Sequence, residues 1–226
     1  QGWITVVVVV AGLFGAWVLL NAVIGGRCDQ TCVVGSLAQA LRLATPIAFA
    51  AFCGVMCERA GVVDIGIEGK MLMSAMTCYA INLFGFQLLK DAIGAEAAGS
   101  FSRILAVCLG AGSALLLALL HAVVSIRFKV DQIISGTVIN ILAIGVTGFM
   151  YRAFLAENLP AGPGTFPILN IPLLADIPVI GPILFQQKPL TYVMLLLAFV
   201  THYVLFFTPW GLRTRAVGEH PRAADT

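Results

Sequence analysis

Charge is what this sequence has least of. Only 11% of its 226 residues are Asp, Glu, Lys or Arg, 60% are apolar, and the mean hydropathy is +0.98. A soluble domain carries about 25% charged and ~45–50% apolar residues, so an ordinary soluble enzyme is excluded. Histidine is scarcer still, with three in the chain, and none stands near a carboxylate at ligand or catalytic spacing. Neither H-E-x-x-H nor G-x-S-x-G occurs, which sets aside an intramembrane enzyme. The phosphate-cradling pattern G-x-x-x-x-G-K-[ST] is also missing, so this chain does not hold ATP in such a loop. Thirteen basic against eleven acidic residues leave a net charge of +2, too little to argue for nucleic acid.

What is present is long apolar sequence. A helix of ~20 apolar residues spans a bilayer, and six such runs stand at 3–23, 37–57, 71–86, 104–124, 133–155 and 190–207. The expectation is an all-α, polytopic transmembrane helix bundle of about six spans forming one transmembrane domain over 1–226. The first run is too long for a signal sequence and lacks a small-residue cleavage site. Arg42 and Pro46 interrupt the second. Polar stretches at 25–35, 87–103 and 125–132 read as loops, 156–189 as a long loop holding seven of the ten prolines, and 208–226 as a basic tail.

Lys and Arg near span ends set orientation. With a cytoplasmic N-terminus, seven of the thirteen fall inside (Arg59, Lys70, Arg127, Lys129, Arg213, Arg215, Arg222) and five outside. The dense clusters at 127–129 and 211–215 both fall inside. Cys28 and Cys32 then lie outside, where a small-loop disulfide is permitted. Cys53, Cys57, Cys78 and Cys108 sit within spans and read as small packing residues. Cys53 and Cys57 share a helix face, but with no His or carboxylate at ligand spacing a metal site is not expected.

The link at 58–70, ERAGVVDIGIEGK, is the most unusual stretch. It crowds five charges and three glycines into thirteen residues between two spans. Val62, Val63, Ile65 and Ile67 are too apolar for a solvated turn. Each glycine costs a helix roughly 1 kcal/mol against Ala. Broken backbone at membrane depth is tolerated only where it is buried in protein or lines a cavity, and a mid-bilayer charge costs at least ~2.5 kcal/mol. Interrupted helices of this kind build substrate sites in transporters.

The residues 58–75, ERAGVVDIGIEGKMLMSA, resemble the ERxGVxNIGxEGxMLxGA signature of ABC-importer permeases, in the nucleoside-type branch of the branched-chain amino acid and simple-sugar permease superfamily. Leu43-Ala44-Thr45-Pro46 matches that family's second span. Residues 129–137, KVDQIISGT, resemble its KVNEVISG block, with Asn140 where the family has Asn. Residues 176–185, DIPVIGPILF, resemble DIPVLGPLLF, and residues 211–224, GLRTRAVGEHPRAA, resemble its cytoplasmic coupling block. Asp64 and Asp131 depart from the pattern, each standing where the family has Asn. Each could alter substrate preference or pair with Arg59, Lys70 or Lys129, and pairing is the favoured reading.

The resemblance implies an ATP-driven importer subunit that carries out no covalent chemistry and binds no cofactor. ATP would be hydrolysed by a separate cytoplasmic ATPase. Further partners would be a second permease subunit, identical or different, an extracytoplasmic solute-binding protein and membrane lipid. The expected location is a bacterial-type cytoplasmic (inner) membrane. Asp64, Glu68, Asn140 and Asn82 are the candidates for the substrate pathway, because nucleosides offer hydroxyls and base edges that suit short polar side chains. Interhelical hydrogen bonding is the competing role for the two asparagines, and packing is the role for Ser135, Gly136, Gly145 and Gly148. Arg213, Arg215, Gly218, Glu219 and Arg222, in the coupling segment 208–226, would dock the ATPase. The alternatives are the same machinery carrying a simple sugar, a branched-chain amino acid or a flavin, or an ATPase-independent channel or transporter. Since the chain opens on Gln1 and stops just after the coupling block, a piece of a longer protein is expected.

Overall fold

A computed structural model describes residues 14, 15, 18, 30–156, 162–172, 174, 175, 177 and 179–224. Its principal helices are α1 (Gln30–Arg59), α2 (Ile67–Ile93), α3 (Ala95–Ala122), α4 (Gln132–Met150), α5 (Pro189–Phe207), α6 (Pro209–Glu219) and α7 (Pro221–Ala224). Single π-helical turns extend α3 through Val123–Arg127 and α4 through Tyr151–Leu155. Five helical stretches among the described residues are long and apolar enough to cross a bilayer: Cys32–Arg59, Ile67–Ile93, Ala95–Arg127, Gln132–Leu155 and Pro189–Phe207. Each contains one expected run; the first run, 3–23, falls almost wholly outside the described residues.

Several readings of the sequence change, the first being that α1 already starts at Gln30, inside the expected loop 25–35. The stretch 87–103 is not a loop but helix on both sides of Gly94, whose φ of +83° ends α2 and admits α3 directly. The polar residues there belong to helix ends. At 1.5 Å per residue the 27 residues of α2 reach about 40 Å, past a hydrocarbon core of about 30 Å. Nor does Pro46 break α1, which runs through it; proline costs one backbone hydrogen bond, a loss membrane helices tolerate.

The chain divides into two compact units, Gln1–Ala44 with Ile168–Lys188, and Thr45–Pro167 with Pro189–Thr226. In the first, β1 (Leu169–Asn170) pairs antiparallel with β2 (Gln186–Gln187), Leu169 opposite Gln187. Arg42 Nε donates to Gln187 Oε1 at 2.9 Å and its Nη2 to the Gln186 carbonyl at 3.2 Å. Gln187, fully buried, donates in turn to the carbonyls of Ile183 (2.6 Å) and Ala38 (3.4 Å). The in-span arginine thus has built-in acceptors.

The second unit is organised around α2 and α3. Ala98, Gly99, Ser102, Ala106 and Gly110 are buried along α3, a small-residue stripe laid against α2. Cys78 Sγ donates to the Ala106 carbonyl at 3.2 Å. Large apolar side chains stand outside instead, as Leu88 (81% exposed), Ile126 (78%) and Phe199 (76%) do. This inversion suits lipid, where apolar burial does not drive helices together and close backbone packing does.

The tightest point of that seam is Gly110, where an added Cβ would meet Cys78 Sγ and lie 3.0 Å from the Ser74 carbonyl. Gly110→Val should therefore destabilise the helix pair by about 1–3 kcal/mol, read as a lowered melting temperature in detergent. An unchanged melt would show that the seam is not packed this way.

Candidate functional site

The break between α1 and α2 begins with a C-terminal cap. Gly61, at φ +76°, takes the left-handed position. The Val62 N–H reaches back to the Cys57 carbonyl (2.9 Å) and the Gly61 N–H to that of Glu58 (3.1 Å). These are the paired bonds of a Schellman motif, which a glycine in this position permits. Residues 62–66 then run non-helically before α2 starts at Ile67.

Polar groups freed by the break are met by side chains, many of them from α4. Gln132 Oε1 accepts from the Val63 N–H at 2.8 Å. Asn140 bridges the gap, its Oδ1 accepting from the Gly69 N–H at 2.7 Å and its Nδ2 donating to the Ile65 carbonyl at 3.1 Å. Asp64 Oδ1 accepts from the Gly66 N–H at 3.1 Å. This approach needs glycine on α4 too, since a Cβ on Gly136 would stand 2.8 Å from the Gly66 nitrogen.

At the centre, Lys70 Nζ lies 2.5 Å from Asp64 Oδ2, with the two side chains 9% and 7% exposed. His121, at the end of α3, places Nε2 4.0 Å from Asp64 Oδ1. Its Nδ1 shares a hydrogen bond of 3.2 Å with Ser135 Oγ on α4, while Nε2 is buried without a hydrogen-bond partner. The thiols of Cys53 and Cys57 and the Asp64 carboxylate lie within 4.8 Å of one another. Along the sequence no carboxylate stood at ligand spacing from this dithiol; the turn at Gly61 carries Asp64 back to it, which removes the reason for setting a metal aside.

The expected residues are distributed unevenly. Asp64 pairs with Lys70, one of the three cations considered. Asp131 does not take up such a pairing in the structure: it caps α4, accepting from Ile133 N at 2.8 Å and Ile134 N at 3.3 Å. Asn caps about as well as Asp, so this departure is structurally mild. Glu68 is exposed in the first turn of α2. Asn82 stands twelve residues beyond Lys70, roughly 18 Å along the helix. It donates to the Gly164 carbonyl at 3.2 Å and accepts from Ser102 Oγ at 3.4 Å. Ser135 and Gly136 are buried against the break, while a Cβ at Gly145 or Gly148 would meet nothing within 4 Å. His121 and Gln132 were not expected at this site, whereas Lys70 was named as a possible partner of Asp64. The signal for Lys70 was a cation six residues from an acid at the head of an apolar helix.

The residues expected to dock the ATPase lie on the helices α6 and α7. Thr208 caps α6, accepting from the Gly211 N–H at 3.2 Å, with Pro209 in the first turn. Arg213 is exposed and borders an open groove of about 560 Å³ that also touches Met56, Cys57 and Val62. Arg215 is partly committed, its guanidinium 5.0 Å from the Phe206 ring centre. Glu219 and Arg222 are exposed. Gly218 touches the end of α1: a Cβ there would collide with the Arg59 carbonyl and lie 3.0 Å from the Gly61 nitrogen. Cys28 lies outside the described residues, and the bridge suggested for it with Cys32 goes with it.

Residues 36–226 match the family described as branched-chain amino acid transport system, permease component. The guanosine ABC transporter permease protein NupQ of Bacillus subtilis (strain 168) is 43% identical over 185 residues, 81% of this chain and 55% of that protein. The nucleoside ABC transporter permease protein NupC of Lactococcus lactis subsp. cremoris (strain MG1363) is 37% identical over 191 residues, 84% of this chain and 57% of that protein. The chain therefore spans about half the length of these curated relatives. No solved structure matches it.

Removing one member of a buried ion pair leaves the other uncompensated, at about 3–5 kcal/mol. Lys70→Met should destabilise the detergent-solubilised protein by that order, and Asp64→Asn added to Lys70→Met should recover most of it in thermal unfolding. A double variant no better than Lys70→Met alone would place the cost outside the pair.

Proposed function

The chain is a member of the branched-chain amino acid transport permease family, and from that premise we propose that it forms part of the translocation path of an ATP-driven importer for nucleosides. Two relatives at 43% and 37% identity carry guanosine and nucleoside transport in their names. The polar character of the break suits a hydroxyl-rich, uncharged solute better than an apolar one.

The observation that carries this reading is the backbone contact of Gly218 with Arg59 and Gly61. It joins the segment expected to meet the ATPase to the segment that holds Asp64. In the proposed cycle a separate cytoplasmic ATPase hydrolyses ATP and displaces α6. The interrupted segment, held by exchangeable side-chain bonds rather than by a helical ladder, takes up a second arrangement. Asp64 and Asn140 shape the wall of the route, Glu68 offers an exposed carboxylate beside it, and Asn82 holds a more distant section. A second permease subunit and an extracytoplasmic binding protein complete the assembly, in an inner membrane with the N-terminus cytoplasmic.

The test is uptake of labelled guanosine by cells lacking their own nucleoside importers and supplied with the full-length permease and its partners. Arg213→Glu combined with Arg215→Glu should abolish most ATP-driven uptake at unchanged membrane levels, and Gly218→Val should do the same by pushing α6 off Arg59. Wild-type uptake in both would remove the coupling role. Uptake of a sugar, amino acid or flavin in place of guanosine would redirect the substrate and leave the coupling intact.

A further inference from the structure

Nothing in the transport reading uses Cys53, Cys57 or the free nitrogen of His121. The two thiols sit one helical turn apart in the last turns of α1, neither in a disulfide. Both reach within 4.8 Å of an Asp64 carboxylate oxygen. His121 Nε2 lies 4.0 Å from Asp64 Oδ1, the residue 95% buried and this nitrogen without a hydrogen-bond partner. A buried ring nitrogen left unpaired is costly, and here the second nitrogen is already oriented by Ser135, as in histidines that bind metal through one nitrogen and are fixed by a hydrogen bond through the other.

We propose that Cys53, Cys57 and Asp64 form a site for a thiophilic divalent cation, Zn²⁺ in chemical class, with the His121 imidazole on its flank as the available fourth donor. Two thiolates and one carboxylate, with an imidazole, make a donor set that selects Zn²⁺ over hard cations such as Mg²⁺ or Ca²⁺. Zn²⁺ bonds of roughly 2.0–2.3 Å put tetrahedral donor atoms about 3.3–3.8 Å apart, so a contraction of about 1 Å closes the group of the two thiols and the Asp64 carboxylate. The charges also balance. Binding releases the two thiol protons, and the dication with the Lys70 ammonium then offsets two thiolates and the Asp64 carboxylate. An ionised carboxylate offers about four acceptor positions. Asp64 can therefore keep Lys70 on Oδ2 and the Gly66 N–H on Oδ1 while ligating. The groove bordered by Cys57 and Arg213 is the way in.

The site would fasten the end of α1 to the non-helical segment, and its test does not depend on transport. Co²⁺ is titrated into the purified full-length permease with its partners, without nucleotide, and thiolate-to-cobalt charge-transfer absorption is followed. One Co²⁺ per permease chain is expected, displaced by Zn²⁺. The band should vanish in Cys53→Ser with Cys57→Ser and persist in Cys78→Ala with Cys108→Ala. Asp64→Asn and His121→Ala should each weaken affinity at least ~10–100-fold, the range lost when an outer hydrogen-bond partner of a metal ligand is removed. Absence of the band in the parent, or its survival in the double serine variant, overturns the site. If that variant does not assemble, the parent protein decides. A melting temperature raised by Zn²⁺ and returned by a chelator supports the site, and an unmoved one overturns it.

Discussion

The pair of Lys70 with Asp64 is the interaction on which this region turns. Both side chains are more than nine-tenths buried, and each charge taken out of water costs several kcal/mol before any attraction is counted. The pair persists only where the geometry is tight and the remaining lone pairs are used. That requirement reaches outward. The Gly66 N–H must sit on Asp64, so the chain must stay non-helical there. The backbone left open needs Asn140 and Gln132, so α4 must approach closely, and that close approach needs glycine at position 136. One ion pair thereby accounts for a break, its clamps and a helix contact.

Much of this architecture could be read in advance, and the reasons for success and failure are physical. Five of the helical spans were legible because apolar runs of bilayer length have few other uses. The Gly94 junction was not, since Asp91, Glu96 and their neighbours look like a loop unless the helices are allowed to outrun the membrane. The break at 58–70 was legible from its three glycines and five charges. Beyond the pairing of Asp64 with Lys70 its inner wiring was not, because His121, Gln132 and Ser135 are distant in sequence and meet it only once α3 and α4 are placed. The signature that 58–75 resembles carries Asn at the position of Asp64 and leaves the position of Lys70 open. This chain places there the cation its carboxylate needs. Asp131, the same substitution on paper, became a helix cap, because at the head of α4 the nearest donors are backbone N–H groups.

Family membership and geometry answer different questions. The match over 36–226 says what kind of machine the chain belongs to. The contacts say which of its atoms are already committed: Asn140 to the backbone of the break, Arg215 to Phe206, Asn82 to Gly164 and Ser102. Glu68 in the first group, and Arg213, Glu219 and Arg222 in the second, are exposed and carry charge without such a commitment in the described contacts.

The meeting of Gly218 with Arg59 and Gly61 has a mechanical character of its own. Among the described residues no backbone hydrogen bond crosses it; the two main chains simply abut with no side chain between them. Side chains absorb small displacements by changing rotamer, and here there are none to do so. A junction of this kind is stiff in compression and slack in tension: α6 can thrust against the end of α1 but cannot draw it back. A push along α6 would then pass directly to the end of α1, while any return would rely on the elasticity of the interrupted segment itself.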